Sequence, residues 1–146
     1  MMVFRGLAQS VRGLLSRHFS LGRRGERAAA GLLRGAGYRV IGRNVVVPMG
    51  EADLLCVAPD GETVVIVEVK TRRVVGPLLS GATRWVEGAI PPEANITAHK
   101  RRKLASIARH LARANGWHEG RVRIDVVAVE WSDRGPAVMR HHVGVV

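Results

Sequence analysis

The stretch Thr63-Val64-Val65-Ile66-Val67-Glu68-Val69-Lys70 decides the fold class. Its first five residues are apolar or β-branched with no polar alternation, the pattern of a strand buried on both faces. The far end then carries a carboxylate and an ammonium two positions apart, so both project from one face. Charge at the end of a buried strand is costly unless it is paired or bound to a metal. On its own, Glu68-x-Lys70 also fits a solvated strand end, because the pattern is short and common.

Working backwards, Pro59-Asp60-Gly61 is a turn signal, and residues 53–58 form the strand before it. A turn centred on Asp60-Gly61 sets Asp53 opposite Glu68 and brings Glu51 near Lys70, while a one-residue slip would exchange the facing residues. Directly opposed side chains have Cβ atoms about 4.5–5.5 Å apart. Two carboxylates held that close repel unless a proton or a cation lies between them. Oxygen ligands of this kind suit a hard divalent cation, Mg²⁺ or Mn²⁺. Such an ion polarises a phosphate oxygen and activates water, and Lys70 beside it can orient that water or steady growing negative charge. Glu51 is either a fourth acid or a structural partner of Lys70.

The remaining pattern places a helix at about 22–35, strands at 38–47, 53–58 and 63–70, a second helix at about 97–114, and strands at 122–130 and 137–145. Residues 74–95, rich in Gly and Pro, read as a long loop. The tight turn makes the hairpin antiparallel, and the helix between Lys70 and Val122 allows a right-handed parallel crossover. The expected fold is therefore α/β, a mixed central sheet flanked by helices, in the order α-β-β-β-α-β-β. An extra N-terminal helix over 3–19 is basic and amphipathic. It fits a peripheral membrane contact or a loosely docked extension, and the extension is favoured. The domain division is 1–20 as extension and 21–146 as one domain.

Composition narrows the partners. Of 146 residues, 47% are hydrophobic and 24% charged, which is globular rather than disordered. Lys and Arg number 23 against 12 Asp and Glu, a formal net charge of +11 that favours a polyanionic partner. The single cysteine, Cys56, excludes an internal disulfide framework and points to the cytoplasm. No apolar run reaches the roughly 20 residues of a membrane span.

A resemblance is carried by Leu21-Gly22-Arg23-Arg24-Gly25-Glu26-Arg27-Ala28-Ala29, then Gly37-Tyr38-Arg39-Val40-Ile41-Gly42-Arg43-Asn44, Gly50-Glu51-Ala52-Asp53-Leu54-Leu55 and Val67-Glu68-Val69-Lys70-Thr71-Arg72. Lys100 and Arg123-Ile124-Asp125-Val126-Val127 continue it. Together these resemble the YraN-like family of small bacterial proteins. That resemblance implies the restriction-endonuclease-like fold, shared with Holliday-junction resolvases. It also implies an active site of Glu26, Asp53, Glu68 and Lys70, with Glu26, Asp53 and Glu68 as metal ligands. By position alone, Glu26 borders the inward face of its helix, where the helix N-terminus also favours a carboxylate. Residues 1–20 and the stretch from Arg73 to Gly88, with Arg84-Trp85, depart from the family pattern. Several nucleases of this fold act as dimers, so the resemblance also raises a homodimer.

The second helix carries Lys100, Arg101, Arg102, Lys103, Arg109 and Arg113 opposite Leu104, Ile107, Ala108 and Leu111. Its basic side is either a solvated face or a phosphate contact. Lys100, Arg72 and Arg102 are the expected nucleic-acid contacts. Asp125 is expected at the opposite end of the sheet from Glu68, as a structural residue. The leading functional expectation is a metal-dependent endonuclease acting on DNA, branched or single-stranded forms included. The alternative is a non-catalytic nucleic-acid-binding module of the same fold.

Overall fold

The computed structural model describes residues 21–74 and 96–146. The expected 3–19 helix, the 1–20 extension, and the loop bearing Arg84-Trp85 lie outside the described residues. Helix α1 covers residues 21–35 and stops at Gly37, whose φ of 87° is a left-handed conformation suited to glycine. Then come β1 (Arg39–Val47), β2 (Gly50–Val57), β3 (Val64–Val74), α2 (Ala98–Asn115), a 3₁₀ turn (Glu119–Arg121), β4 (Val122–Ser132) and β5 (Val138–His142). The order α-β-β-β-α-β-β is the expected one.

The five strands lie side by side in chain order. β3 and β4 are parallel, joined across α2, and every other neighbouring pair is antiparallel. The hairpin register is set locally: Asp60 Oδ1 accepts from the amides of Glu62 (2.9 Å) and Thr63 (2.8 Å), and Gly61 takes φ 75°. Leu54 therefore pairs with Val67 and Val57 with Val64, the register expected from the turn.

The unalternating β3 run is explained by a helix on each face of the sheet. Val64 and Ile66 pack with Leu104, Ile107 and Leu111 of α2, whereas Val65 and Val67 pack with Ala29, Ala30 and Leu33 of α1. Helix α2 is capped by Thr97, whose hydroxyl accepts from the Lys100 amide at 3.2 Å, and it ends at Gly116 in the left-handed region. Its buried stripe adds Ala112 to the apolar side, and Cys56 is buried in the core under α1.

Small residues let α1 sit close to the sheet. A Cβ at Gly25 would lie 1.8 Å from Thr71 Oγ1 and 2.9 Å from Thr71 Cβ. Gly25→Ala is therefore expected to cost about 1–3 kcal/mol in urea unfolding, through overpacking. Adding Thr71→Ala should recover only part of it, because that substitution leaves the Thr71 Cβ atom in place.

Candidate active site

The last rung between β2 and β3 is Leu54 with Val67. Beyond it β2 continues paired with β1, down to Gly50 opposite Val47, and β3 continues paired with β4 to Val74. The sheet forks there, and Asp53 and Glu68 are the first residues past the fork.

Asp53 spans it. Its Oδ2 accepts from the Val69 amide at 2.7 Å, so a side chain meets β3 where the backbone ladder has stopped. Burial pushes the Asp53 carboxyl up to about 6; the Val69 bond opposes this, Glu68 and Glu26 add to it, and Lys100 works against it. Three carboxylates thus act on one another at this end of the sheet.

Glu68 lies on the α2 face, in line with Val64 and Ile66, and its side chain is only 12% exposed. Lys100, in the first turn of α2, closes on it with Nζ 2.7 Å from Oε1. Glu26 comes from α1 on the other face and accepts from Asn44 Nδ2 at 3.1 Å. Asn44 has φ 47°, the described non-glycine residue with positive φ, and asparagine tolerates that region better than most. Lys70 is half-buried two positions beyond Glu68 and forms no ion pair among the described residues.

The structure brings Asp53, Glu68, Glu26 and Lys100 into one electrostatic neighbourhood, with Lys70 beside it on β3. It does not bring in Glu51, which is exposed opposite Val46 on β1 and forms no ion pair with Lys70 among the described residues. Arg72 is ion-paired with buried Glu130, and Arg140 reaches the other Glu130 oxygen at 3.0 Å. Arg102 is exposed on α2.

Asp125 departs from its expected position. It pairs with Val67, immediately beside the fork and not at the far end, because the crossover starts β4 level with β3. The two acids are separated by faces instead: Asp125 shares the α1 side with Val127 and Val129, and Glu68 the α2 side. Its role is nonetheless structural. Asp125 is fully buried and accepts from Arg123 (2.8 and 3.0 Å), the Gly144 amide (3.0 Å) and the His141 ring (2.8 Å).

Three contributors escaped the sequence reading: Asn44 as the partner of Glu26, Lys100 as the partner of Glu68, and Glu130 as the anchor of Arg72. The Asn44 signal was the residue type itself, one suited to a left-handed turn. Glu130 was marked by being a lone acid ending the apolar run Val126–Val129.

The donor set at the fork is all oxygen, which matches a hard divalent cation in kind. In position it matches less closely. Among the described residues no three His, Cys, Asp or Glu side chains are gathered tightly enough to hold an ion as they stand. Among those residues, too, no helix is long and apolar enough to cross a membrane.

A UPF0102 protein of Symbiobacterium thermophilum is 45% identical over 111 residues, covering 75% of this chain and 81% of that protein. Another, from Kineococcus radiotolerans, is 39% identical over 130 residues, covering 86% and 93%. A third, from Anaeromyxobacter dehalogenans, is 39% identical over 119 residues, covering 82% and 78%. Among solved structures, Pyrococcus furiosus SfsA in complex with Ca²⁺ aligns with 80% of this chain at 16% identity and a TM-score of 0.34. The chain spans 59% of that protein, and a likeness so slight carries no functional argument. The family match covers residues 25–129, which take in Glu26, Asp53, Glu68, Lys70 and Lys100, and so the chain belongs to the uncharacterised protein family UPF0102.

Proposed function

We propose that this protein is a divalent-cation-dependent nuclease acting on DNA, with its site at the fork between β2 and β3. The observation that carries the reading is the meeting of Asp53 and Glu68 at that fork, with Lys100 and Lys70 beside them. Paired β2 and β3 would close this end of the sheet; parted, they leave both carboxylates at an opening. A net charge of +11 supports a polyanionic substrate.

In this reading Asp53, Glu68 and Glu26 would hold Mg²⁺ or Mn²⁺. The bound cation supplies Lewis acidity towards a phosphodiester. Asp53 is fixed by the Val69 amide, which aims one oxygen at β3 and leaves the other for the site. Lys70 holds a proton near the reacting phosphate and steadies negative charge as it develops. Arg102 and the basic side of α2 meet backbone phosphates without reading sequence.

The test is cleavage of labelled duplex, flapped, four-way and single-stranded DNA with Mg²⁺ or Mn²⁺. Cutting of at least one substrate is expected, falling on the order of 10²-fold or more in Asp53→Ala and Lys70→Ala. A second reading is favoured by one observation: Glu68 is already engaged by Lys100, as a non-catalytic binding module would keep it. No cutting of any substrate, with salt-sensitive binding unaltered by Asp53→Ala, would establish that module instead. Failure to bind any nucleic acid at low salt would remove both.

A further inference from the structure

The engagement of Glu68 by Lys100 has a functional side. Glu68 is a nearly buried carboxylate, and one of its oxygens is taken by an ammonium 2.7 Å away. An acid so shielded from water needs a positive partner in every state of the protein. Lys100 is well made to be a removable one. Its backbone is fixed by the Thr97 cap, while its side chain is a flexible four-carbon stem, one-third exposed, ending in a point charge.

We propose that Lys100 is a positioning residue that stands in for the divalent cation: it holds Glu68 while no metal is bound, yields that carboxylate when the metal arrives, and then turns its ammonium to substrate phosphate. The inference rests on the metal-dependent reading above and adds an order of events to it. Formal charge favours that order. Glu26, Asp53 and Glu68 against Lys70 and Lys100 leave one negative charge, which repels a phosphodiester. A divalent cation converts this to one positive charge, which a single phosphodiester neutralises. Metal binding should therefore precede and strengthen nucleic-acid binding, with Lys100 as the coupling group.

The experiment measures Mn²⁺ binding to the full chain, by calorimetry and by electron paramagnetic resonance, for the wild type, Lys100→Met, Lys100→Arg and Arg102→Met. Removing the competing ammonium should tighten Mn²⁺ binding on the order of tenfold in Lys100→Met. Lys100→Arg, which grips a carboxylate with a two-pronged fork, should weaken it. Arg102→Met removes the same formal charge from an exposed place on the helix and should change it less than about twofold. In parallel, the gain in DNA affinity on adding Mn²⁺ should be present in the wild type and lost in Lys100→Met. Equal Mn²⁺ affinity in the wild type and both Lys100 variants overturns this inference while leaving the nuclease reading intact. Absence of Mn²⁺ binding from all four proteins overturns both. Competition as expected, but with no DNA cut, supports the stand-in and removes only the nuclease.

Discussion

Asp53→Asn is expected to make the protein more stable at neutral pH, by up to about 3 kcal/mol. The sign follows from the direction of the shift. Burial, reinforced by Glu68 and Glu26, raises the Asp53 carboxyl from 3.8 to about 6 in the folded chain. The unfolded chain then ionises first, so stability falls as pH rises from 3.8 towards about 6, and the full cost is present above that. Asparagine is never ionised, and its carbonyl oxygen can still accept from the Val69 amide. Urea unfolding of both proteins from pH 3 to pH 8 should give curves that meet in acid and separate by neutrality. Equal stability at pH 7.5 would remove the electrostatic account of the fork. Adding Mn²⁺ should stabilise the wild type and scarcely affect the variant, because binding to the folded form alone shifts the unfolding equilibrium.

Asp125→Ala should do the opposite, costing about 3–5 kcal/mol, a large part of the 5–15 kcal/mol typical of a domain. Burial by itself would raise the Asp125 carboxyl, but the bonds from His141, Arg123 and the Gly144 amide outweigh it and hold the group below its ordinary value. Its contribution is accordingly complete above the ordinary carboxylate pKa and is lost as pH falls through the lowered one. Deleting the carboxylate strips Arg123 and His141 of a shared partner; their side chains are only 28% and 17% exposed. The gap between wild type and variant should be widest near neutrality and narrow in strong acid. Hydrogen exchange at the Gly144 and Val145 amides should accelerate in the variant, since Gly144 donates to Asp125 and Val145 to the neighbouring Ile124 carbonyl. Unchanged protection there would mean that Asp125 does not hold the end of the chain.

These two acids also mark the limit of what the sequence discloses. The position of Asp53 opposite Glu68 was legible because a tight turn fixes its own register: Asp60 and Gly61 determine which residues face one another a few positions away. The unbroken apolar run of β3 was legible because a strand covered on both faces leaves no room for polar alternation. The level of β4 against β3 was not, because a crossover through α2 imposes no local register, and Asp125 was misplaced along the sheet for that reason. The ion pair between Lys100 and Glu68 was hidden similarly, since it depends on where α2 lies over the sheet. Motif spacing pointed to Lys100 as a site residue but could not say that its first partner is a carboxylate.

Glu68 and Lys100 stand near opposite ends of one crossover, each fixed by its own packing: β3 through Val64 and Ile66, α2 through Leu104, Ile107 and Leu111. The chain between them therefore contributes to their meeting mainly through the entropy of closing a loop. That cost grows only logarithmically, by about 0.6 kcal/mol for each doubling of length. The segment between β3 and α2 can consequently lengthen or shorten among relatives while the two charges keep their separation. Diversity in that segment and constancy at the fork are compatible by construction, which frees the segment to evolve towards different nucleic-acid shapes around an unchanged pair.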